Sequence, residues 1–572
     1  MQQCSRCSPE ELEEVDRIFN EQIFPALTPL AVGPGRPFPY ISNLSLSLAV
    51  WVRDPVTETE LFARVKVPKE VLPRFVEIDD HTFVPLESII ARNLDSLFPG
   101  MEVLRHAYFR VARDADFTVS DEGDDLLQAV ETELRRRRFG EVVRLEVSAD
   151  MDGDLRAFLI EQLGIEETQV IDVEGLLDLT DLWQIHGLDG FKELHEEPWT
   201  PVALGPFSTD EGKPDVFAAI RQGDILVHHP YESFSSSVEA LVAQAVEDPD
   251  VLAIKLTVYR TSDDSALVPL LIKAAERGKQ AVCLVELQAR FDERRNIVWA
   301  RALEQAGAHV VHGTPGLKTH AKALLVVRRE GSGVGHYVHV GTGNYHAKTA
   351  RLYEDFGLFT CDRNIAADVA ALFNTLTGAA RPPGYRKTLV APERMREGLL
   401  AEIEGAVEAH RSGEPARIVL KMNSLVDARL IRALYEASQA GVQVDLNVRG
   451  ICALRAGVPG VSENIRVVSV VGRFLEHARV YTFQRGQERS YFIGSADLMP
   501  RNLDTRVELL TPVESDSLRS ELDDTLERCL ADDSFAWDMR PDGSWKRRTG
   551  RTRSVHRELM ERALERAAGE GV

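Results

Sequence analysis

The chain has 572 residues, of which 44% are hydrophobic and 27% charged, and its formal net charge at pH 7 is −23. This length allows about three to four domains with substantial cores. The acidic balance argues against broad, nonspecific binding of nucleic acid, but it permits a phosphate substrate held in a recessed cluster of cations.

The N-terminal residues, MQQCSRCSPEELEE, lack the apolar core of a signal peptide. No apolar run in the chain reaches the roughly 20 residues that a membrane span requires. The six cysteines are few for this length, which is typical of reduced thiols in the cytoplasm. Cys4 and Cys7 form a CxxC pair without a second pair, a pattern that fits a zinc site less well than the disordered terminus we expect.

Residues 1 to about 205 mix strand-like alternation, as in LSLSLAVWV, with helical stretches such as DDLLQAVETELRRRR. Pro198, Pro201 and the GKP run at 212–214 then indicate a boundary. We therefore predict an α+β head domain over residues 1–206, and we expect it to contribute to dimerisation and to a tunnel.

From residue 207 onward the pattern changes to alternating strands and helices. VLAIKLTVYR (251–260) predicts a buried strand, LVPLLIKAAERGKQ a helix that ends at a glycine, and AVCLVEL the next strand. After the proline-rich break at 381–384 the same order returns, beginning with ARIVLKMN (416–423). The repeat predicts an α/β protein with two similar domains, 207–385 and 386–572, that face each other across a cleft. The tail after about residue 550 reads as a polar helix with little chemistry.

Each half contains a histidine, a cation two residues later and then a turn of small residues. The first half has His320, Lys322 and the turn GTGN, and the second has His477, Arg479 and the turn GSAD. A single histidine before a hydrophobic strand is more often structural than catalytic. Two matching copies instead favour two half-sites, with one histidine as the nucleophile and cations that stabilise phosphate charge.

The two turns G-[ST]-[GA]-[ND] suggest further roles. Their backbone N–H groups could cradle a phosphate oxygen. Asn344 or Asp497, at the end of each turn, could orient an imidazole through its second nitrogen. Thr349-Ala350-Arg351 in the first half also falls roughly where Asp504-Thr505-Arg506 falls in the second.

Three arginines stand at the C-terminal ends of predicted strands: Arg260, Arg290 and Arg449. Ligands of open α/β sheets bind at these ends, and the guanidinium fork matches phosphate. A salt bridge to a neighbouring acid is the alternative for each of them. Tyr353 could stack on a base, hydrogen-bond to a phosphate or merely pack.

Longer runs extend these motifs, in chain order FPALTPLAVGPGRPFPYISNLSLSLAV, LTVYR, VELQARFDE, GLKTHAKALLV, HVGTGNYHAKTARLYEDF, NVRG, RFLEHARVY and SADLMPRN. With them, the chain from about residue 15 to its C-terminus resembles the histidine-phosphorylating type of polyphosphate kinase. That family is a distant relative of the phospholipase D superfamily, so the resemblance implies a phospholipase D-like fold for both α/β domains.

The resemblance implies reversible transfer of the terminal phosphate of ATP to inorganic polyphosphate, through a phosphohistidine at His320. It makes His477 an acid/base or phosphate-binding partner, and Tyr353 and Arg449 contacts of the nucleotide phosphates. Arg260 and Arg290 fall at family positions of the Mg²⁺ site. Because a guanidinium has no lone pair for a metal, we interpret both as clamps on magnesium-bound phosphate.

The resemblance further implies a homo-oligomer in the cytoplasm, with peripheral association at the inner membrane as a family property, and no nucleic-acid partner. Family members usually open with a helical domain that helps to form the adenine pocket, and this chain begins where that domain would end. We therefore expect a complete phosphate-transfer core that lacks this contribution to nucleotide binding.

Two alternatives remain open from the sequence. A phospholipase D-type phosphodiesterase would usually carry the aspartate of HxKxxxxD, but Val327 stands at that position. An inactive polyphosphate-binding protein is the second alternative, and the retention of both His320 and His477 argues against it.

Overall fold

A computed structural model of the chain describes residues 1–33, 35–114, 140–207, 214–259, 266–287, 293–313, 316–378, 380 and 384–568. The described residues divide into two compact units, of which one comprises residues 1–114 and 140–197 and the other begins at Pro198. Within these ranges, every helix is too short or too polar to span a lipid bilayer.

The first unit contains a six-stranded sheet of order β1-β3-β2-β6-β7-β8 and a separate hairpin β4-β5. The strands are β1 (Leu30–Val32), β2 (Leu46–Arg53), β3 (Glu60–Lys66), β4 (Phe75–Asp79), β5 (Thr82–Pro85), β6 (Glu102–Arg113), β7 (Val142–Ser148) and β8 (Val170–Val173). The α-helices are Pro9–Ile18, Leu86–Arg92, Leu94–Leu97, Gly153–Leu163 and Trp183–His186. This mixture of sheet and helices confirms the predicted α+β class of the head.

The N-terminal residues of this unit are ordered by local capping and by burial. Ser8 and Glu11 form a capping box that starts helix Pro9–Ile18, so two otherwise unpaired N–H groups are satisfied. Cys4 is buried in the core of the unit, and its backbone N–H donates to Ser88 Oγ at 3.0 Å. The expectation of a disordered terminus around Cys4 and Cys7 is therefore wrong.

The second unit begins with an eight-stranded sheet of order β12-β11-β10-β14-β15-β16-β21, in which β9 also pairs with β16. The first half of the repeat contributes the following strands to this sheet: β9 (Ile225–His229), β10 (Val251–Val258), β11 (Gln280–Val285), β12 (His309–Val311), β14 (Ala323–Glu330), β15 (Gly333–Gly341) and β16 (Tyr353–Thr360). The strand β13 (Lys318–Thr319) belongs to the other sheet. The helices are Val216–Gln222, Ala240–Glu247, Leu267–Glu276, Glu293–Gln305 and Arg363–Gly378.

A ten-stranded sheet follows, of order β13-β24-β23-β22-β18-β19-β20-β25-β26, with β17 paired to β24. Its strands are β17 (Leu389–Ala391), β18 (Ala416–Met422), β19 (Gln443–Val448), β20 (Ile465–Val470), β22 (Val480–Arg485), β23 (Glu488–Gly494), β24 (Arg506–Pro512), β25 (Ala536–Met539) and β26 (Trp545–Arg547), while β21 (Leu475–Glu476) joins the first sheet. The helices are Met395–Arg411, Ala428–Gln439, Pro500–Asp504, Asp516–Ala531 and Val555–Ala567.

The two sheets repeat one topology. In each, three parallel strands (β10-β11-β12 and β18-β19-β20) continue into an antiparallel run (β14-β15-β16 and β22-β23-β24). Helix Ala428–Gln439 illustrates how the sequence builds these layers, because Asp427 caps its N-terminus and Leu430 and Leu434 pack into the core. The predicted pair of similar α/β halves is confirmed.

The halves exchange short strands with each other. β13, directly before His320, pairs in parallel with β24 of the second half, matching Thr319 with Val507. β21, directly before His477, pairs in parallel with β16 of the first half, matching Glu476 with Glu354. The exchange therefore places each histidine beside a strand of the opposite half.

The registers of these pairs also align the two copies. Lys318 pairs with Arg506, and Leu475 pairs with Tyr353. Arg506 thus corresponds to Tyr353, two residues away from the predicted counterpart Arg351. The prediction was wrong because it counted along the sequence, whereas the strand pairing sets the true register.

Candidate active site

His320 lies at the end of β13 and is held by β24. Its backbone N–H donates to Val507 O at 2.9 Å, and its ring Nδ1–H donates to Glu508 Oε2 at 2.8 Å. Glu508 is completely buried and also accepts hydrogen bonds from Ser495 Oγ and from Asn502 Nδ2. The donors that converge on the carboxylate fix its position and, through it, the orientation of the imidazole.

His477 lies at the end of β21 and has the same arrangement with the halves reversed. Its Nδ1–H donates to Asp355, with Oδ1 and Oδ2 at 2.8 and 2.9 Å. Thr342 Oγ1 donates to Asp355 Oδ1 at 2.6 Å, as Ser495 donates to Glu508 in the other half-site. Each histidine is therefore oriented by a carboxylate, itself supported by a hydroxyl, from the opposite half.

These hydrogen bonds determine which ring nitrogen is available. Because each carboxylate accepts from Nδ1–H, the lone pair of the neutral imidazole resides on Nε2. Burial lowers the pKa of His320 well below its ordinary value, and the Lys322 ammonium lowers it further. Burial also lowers the pKa of His477, although Asp355 opposes this shift. Both imidazoles are thus neutral near pH 7, which a nucleophile requires.

The predicted cations lie beside the histidines. Lys322 is buried, and burial lowers its pKa well below the ordinary value. Its Nζ donates to His320 O and lies 5.3 Å from the centre of the Tyr259 ring. Arg479 Nη1 lies 3.1 Å from His477 Nε2 and donates to His477 O at 2.7 Å. Lys322 lowers the pKa of His477 and Arg479 lowers that of His320, so cations of one half act on the other histidine.

Arg449 and Tyr353 approach the second histidine. Arg449 donates to Asn423 Oδ1 from Nε and Nη2, at 3.0 and 2.7 Å, and to Glu476 O from Nε at 2.7 Å. The Tyr353 ring centre is 5.2 Å from that of His477. Asn423 Nδ2 also donates to His477 O at 3.1 Å. The structure therefore places Tyr353 directly against the His477 ring and links Arg449 to His477 through Asn423, a residue that the sequence did not indicate.

Asn344 and Asp497, which were predicted to orient the imidazoles, do not hydrogen-bond to them. Asp497 accepts from Arg479 Nη2 at 2.7 Å and from the backbone N–H of Asn423 at 2.7 Å. Although burial opposes ionisation, Arg479 brings the pKa of Asp497 down to about 2. Asn344 Oδ1 is buried and has no hydrogen-bond partner among the residues that the structure describes. The predicted role of Asn344 and Asp497 in orienting the imidazoles is wrong, because Glu508 and Asp355 have it.

The first two residues of each glycine turn also differ from the prediction. The N–H groups of Gly341 and Thr342 donate to Lys322 O and Phe356 O, and those of Gly494 and Ser495 donate to Arg479 O and Leu509 O. These four groups are therefore committed to the sheets and cannot cradle a phosphate. Small residues are required here by close packing, since a Cβ on Gly343 would lie 2.2 Å from Asp355 Oδ2.

Arg260 and Arg290 lie outside the described residues, so the structure gives no contacts for them. Within the described ranges, one group of three side chains has metal-ligand spacing, Glu77, Asp80 and His81, and it is exposed on the β4-β5 hairpin of the first unit. At the two histidines, the carboxylates of Asp355 and Glu508 are engaged by imidazole. The described residues of this site therefore do not form a protein ligand set for Mg²⁺.

Glu508 was not predicted from the sequence, and neither Arg506 nor Asp355 was given a role. A signal was present, since Tyr353-Glu354-Asp355 and Arg506-Val507-Glu508 begin equivalent strands, each with an acid at the third position. Recognising it required the strand register, because no local spacing links either acid to its histidine.

Comparisons with known proteins agree with this architecture. Family models match three stretches, described as the polyphosphate kinase middle domain (10–185), C-terminal domain 1 (215–382) and C-terminal domain 2 (388–558). A polyphosphate kinase of Thermosynechococcus vestitus is 50% identical over 98% of this chain and 81% of its own length. One of Synechocystis sp. is 53% identical over 95% of this chain and 78% of its own length.

Solved structures give the same result. The crystal structure of polyphosphate kinase from Porphyromonas gingivalis has a TM-score of 0.84 and 31% identity, and the match covers 98% of this chain and 84% of that one. The sequence and the structure of these polyphosphate kinases thus match nearly the whole of this chain, and the chain belongs to the polyphosphate kinase family.

Proposed function

We propose that this protein is an ATP:polyphosphate phosphotransferase that reversibly transfers the terminal phosphate of ATP to inorganic polyphosphate. The observation that carries the proposal is the pair of buried histidines, each hydrogen-bonded through Nδ1 to a carboxylate of the opposite half. The relatives that bear the name polyphosphate kinase are about half identical to the chain over nearly all of it.

In the first half-reaction, His320 Nε2 attacks the γ-phosphorus of ATP in line. The P–N bond forms as the bond to the β–γ bridging oxygen breaks, and ADP leaves with that electron pair. The proton stays on His320 Nδ1 and is donated to Glu508, whose carboxylate stabilises the positive charge that develops on the ring. Arg479 would offset negative charge on the transferred group, and so would Lys322, whose charged form the bound phosphate favours.

In the second half-reaction, a terminal oxygen of polyphosphate attacks the phosphorus and the P–N bond breaks. The electron pair returns to Nε2 of His320, which regenerates the neutral imidazole. We assign His477 to proton transfer or phosphate binding at the incoming and leaving oxygens, since its Nε2 lies beside Arg479 and its Nδ1–H is held by Asp355.

We assign binding of nucleotide and polyphosphate oxygens to Tyr353, Arg449, Asn344 and Arg479. The contact of Arg449 with Asn423 supports this assignment, because a guanidinium with a fixed orientation loses less entropy when it binds phosphate. Arg506, the counterpart of Tyr353 beside His320, is a further candidate for the same role. Its Nη1 lies 3.9 Å from Glu508 Oε1.

Magnesium enters this proposal as part of the substrate. Mg²⁺ is commonly held by substrate phosphates with few protein carboxylates, and the described residues at the histidines offer no such ligand set. We therefore propose that Mg²⁺ arrives bound to the nucleotide phosphates, with Arg260 and Arg290 as clamps on those phosphates. No step of the transfer is assigned to a protein-bound metal ion.

The family resemblance supports an oligomeric assembly and membrane association, and the few cysteines support a cytoplasmic location. We propose a homo-oligomer in the cytoplasm, with peripheral association at the inner membrane. Size-exclusion chromatography with light scattering tests the first point, and a monomer at micromolar concentration would contradict it. Sedimentation with membranes from a cell lysate tests the second.

The activity is tested in both directions with the purified chain, Mg²⁺ and labelled substrates. We expect label from γ-labelled ATP to enter polyphosphate, and ADP to be converted to ATP by polyphosphate. Hydrolysis of a chromogenic phosphodiester without phosphoryl exchange would instead support a phospholipase D-type enzyme. Polyphosphate binding without exchange in either direction would indicate an inactive binding protein.

A further inference from the structure

Behind His477 and Asp355 lies a buried group of charged side chains that the mechanism above does not use. Glu354 and Glu476 are register partners in the β16-β21 pair, and both are almost completely buried. Successive side chains of a strand point to opposite faces, so Glu354 points away from the face that carries Asp355. Lys421 Nζ forms ion pairs with both carboxylates. It lies 2.9 Å from Glu354 Oε2 and also contacts Glu476 Oε2.

Two histidines complete the group. His228 Nε2 lies 2.6 Å from Glu354 Oε1, and His556 Nε2 lies 2.8 Å from Glu476 Oε1. The result is a continuous chain of buried groups, His228–Glu354–Lys421–Glu476–His556. It joins β9, β16, β18 and β21 to the helix Val555–Ala567, which the sequence had suggested to have little chemistry.

These five buried side chains fix the backbone on both sides of His477. On one side, Glu476 directly precedes the histidine and is held by Lys421 and His556. On the other side, the backbone N–H of Ala478 donates to Glu354 Oε2 at 3.2 Å. Glu354 is also the neighbour of Asp355, so the same carboxylate links the histidine to the residue that orients it.

The equivalent positions of the other half-site are uncharged. The register places Thr319, Val507 and Thr257 in the His320 half-site where Glu476, Glu354 and Lys421 stand in the His477 half-site. These three residues are neutral and buried, and Thr257 Oγ1 donates to Ala321 O at 2.8 Å. These three positions of the exchanged strand pair thus carry no charge, although the Thr319 N–H donates to the buried Glu286 Oε2 at 2.7 Å, and buried ion pairs seldom add net stability. A role specific to the His477 half-site explains why they are present there.

We propose that Glu354, Lys421, Glu476, His228 and His556 are positioning residues for His477 and Asp355. The proposal rests on the proposed function, in which the two half-sites do different work. His320 receives the phosphoryl group, whereas His477 must hold one orientation while oxygens enter and leave. The buried ionic group supplies that rigidity at the His477 half-site.

The test uses Glu476→Gln and His556→Gln in the full chain, because an amide can retain hydrogen bonds while the charge or the ring is lost. We expect kcat for polyphosphate synthesis to fall about 10- to 100-fold, with KM for ATP within about twofold, since the predicted ATP contacts are retained. A second readout is independent of turnover. It is the rate at which diethyl pyrocarbonate modifies His477, measured on its peptide by mass spectrometry, and we expect this rate to change at least threefold.

The matched control is the buried pair of Arg74 and Glu87 in the first unit, whose side chains are 1% and 4% exposed. The double variant Arg74→Met/Glu87→Gln removes a similar ion pair and should leave kcat and the modification rate of His477 unchanged. The proposal is wrong if the Glu476 and His556 variants, folded by circular dichroism, match the wild type in both readouts. If the wild type forms no phosphohistidine, the proposed function fails, but the modification rate still tests the positioning.

Discussion

His320 donates its Nδ1–H to Glu508 over 2.8 Å, although the two residues are 188 positions apart and belong to opposite halves of the repeat. The exchanged strand β13 makes this contact possible, because it inserts the residues before His320 beside β24. The nucleophile is therefore assembled only when both halves are folded against each other. The same holds for His477 and Asp355, which are 122 positions apart.

Glu508→Gln should slow the phosphorylation of His320. The amide cannot stabilise positive charge on the ring as the carboxylate does, and its NH₂ group can favour the wrong tautomer. We expect the rate of labelling by ATP to fall about 10- to 100-fold. Rapid-quench measurement of acid-labile label checks this, and a labelling rate equal to that of the wild type would refute the role of Glu508.

Gly343→Ala should impair turnover through Asp355. A Cβ at this position would lie 2.2 Å from Asp355 Oδ2, so the carboxylate must move away from His477. We expect a loss in kcat of about 10-fold or more. The control is Gly378→Ala at the end of helix Arg363–Gly378, where no atom lies within 4 Å of the added Cβ. Equal steady-state rates in the two variants would contradict the prediction.

Asn423→Ala should weaken nucleotide binding more than it slows the chemical step. Asn423 Oδ1 accepts two hydrogen bonds from Arg449, so its removal frees the guanidinium to adopt other rotamers. We expect KM for ATP to rise about 10-fold, corresponding to one lost charge-assisted hydrogen bond, while kcat changes less. A variant in which kcat falls and KM is unchanged would argue against Arg449 as a nucleotide contact.

The protein should lose stability as pH falls below about 6.5, the ordinary pKa of histidine. Burial lowers the pKa of His229 to about 4 and that of His339 to about 3. Between these values and pH 6.5 the unfolded chain binds protons that the folded chain does not, so acidification favours unfolding. From pH 6.5 to 5, each histidine should cost about 2 kcal/mol of unfolding free energy.

His339→Asn provides the check, because its amide can still meet Tyr345 Oη, which lies 2.9 Å from His339 Nδ1 in the native protein. Urea unfolding at pH 6.5 and pH 5 should show a smaller loss of stability in the variant than in the wild type. The same loss in both proteins would mean that His339 does not titrate as its burial requires.

The repeat, its strands and both histidines could be predicted from the sequence because each depends on a local pattern. Hydrophobic runs such as VLAIKLTV in β10 identify strands, and the spacing of His320 and Lys322 is visible without a fold. The partners of the histidines could not be found in this way. Glu508 and Asp355 reach them through strand exchange, which depends on the packing of the two halves.

Errors in the prediction have the same origin. The turns at Gly341 and Gly494 resemble anion-binding loops in sequence, yet the N–H groups of their first two residues are used by neighbouring strands. His556 stands in a polar helix, but that helix packs so that its ring meets Glu476 in the interior. In both cases the chemistry depends on which surface the segment covers, and residue type alone does not reveal it.

Identification of the phosphorylated residue tests directly whether His320 is the nucleophile. The purified chain would be incubated with Mg²⁺ and γ-labelled ATP, digested under alkaline conditions and analysed by mass spectrometry, alongside His320→Ala and His477→Ala. We expect phosphate on His320 in the wild type, none in His320→Ala, and label with slowed turnover in His477→Ala. Phosphate on His477, or label that survives in His320→Ala, would contradict this expectation.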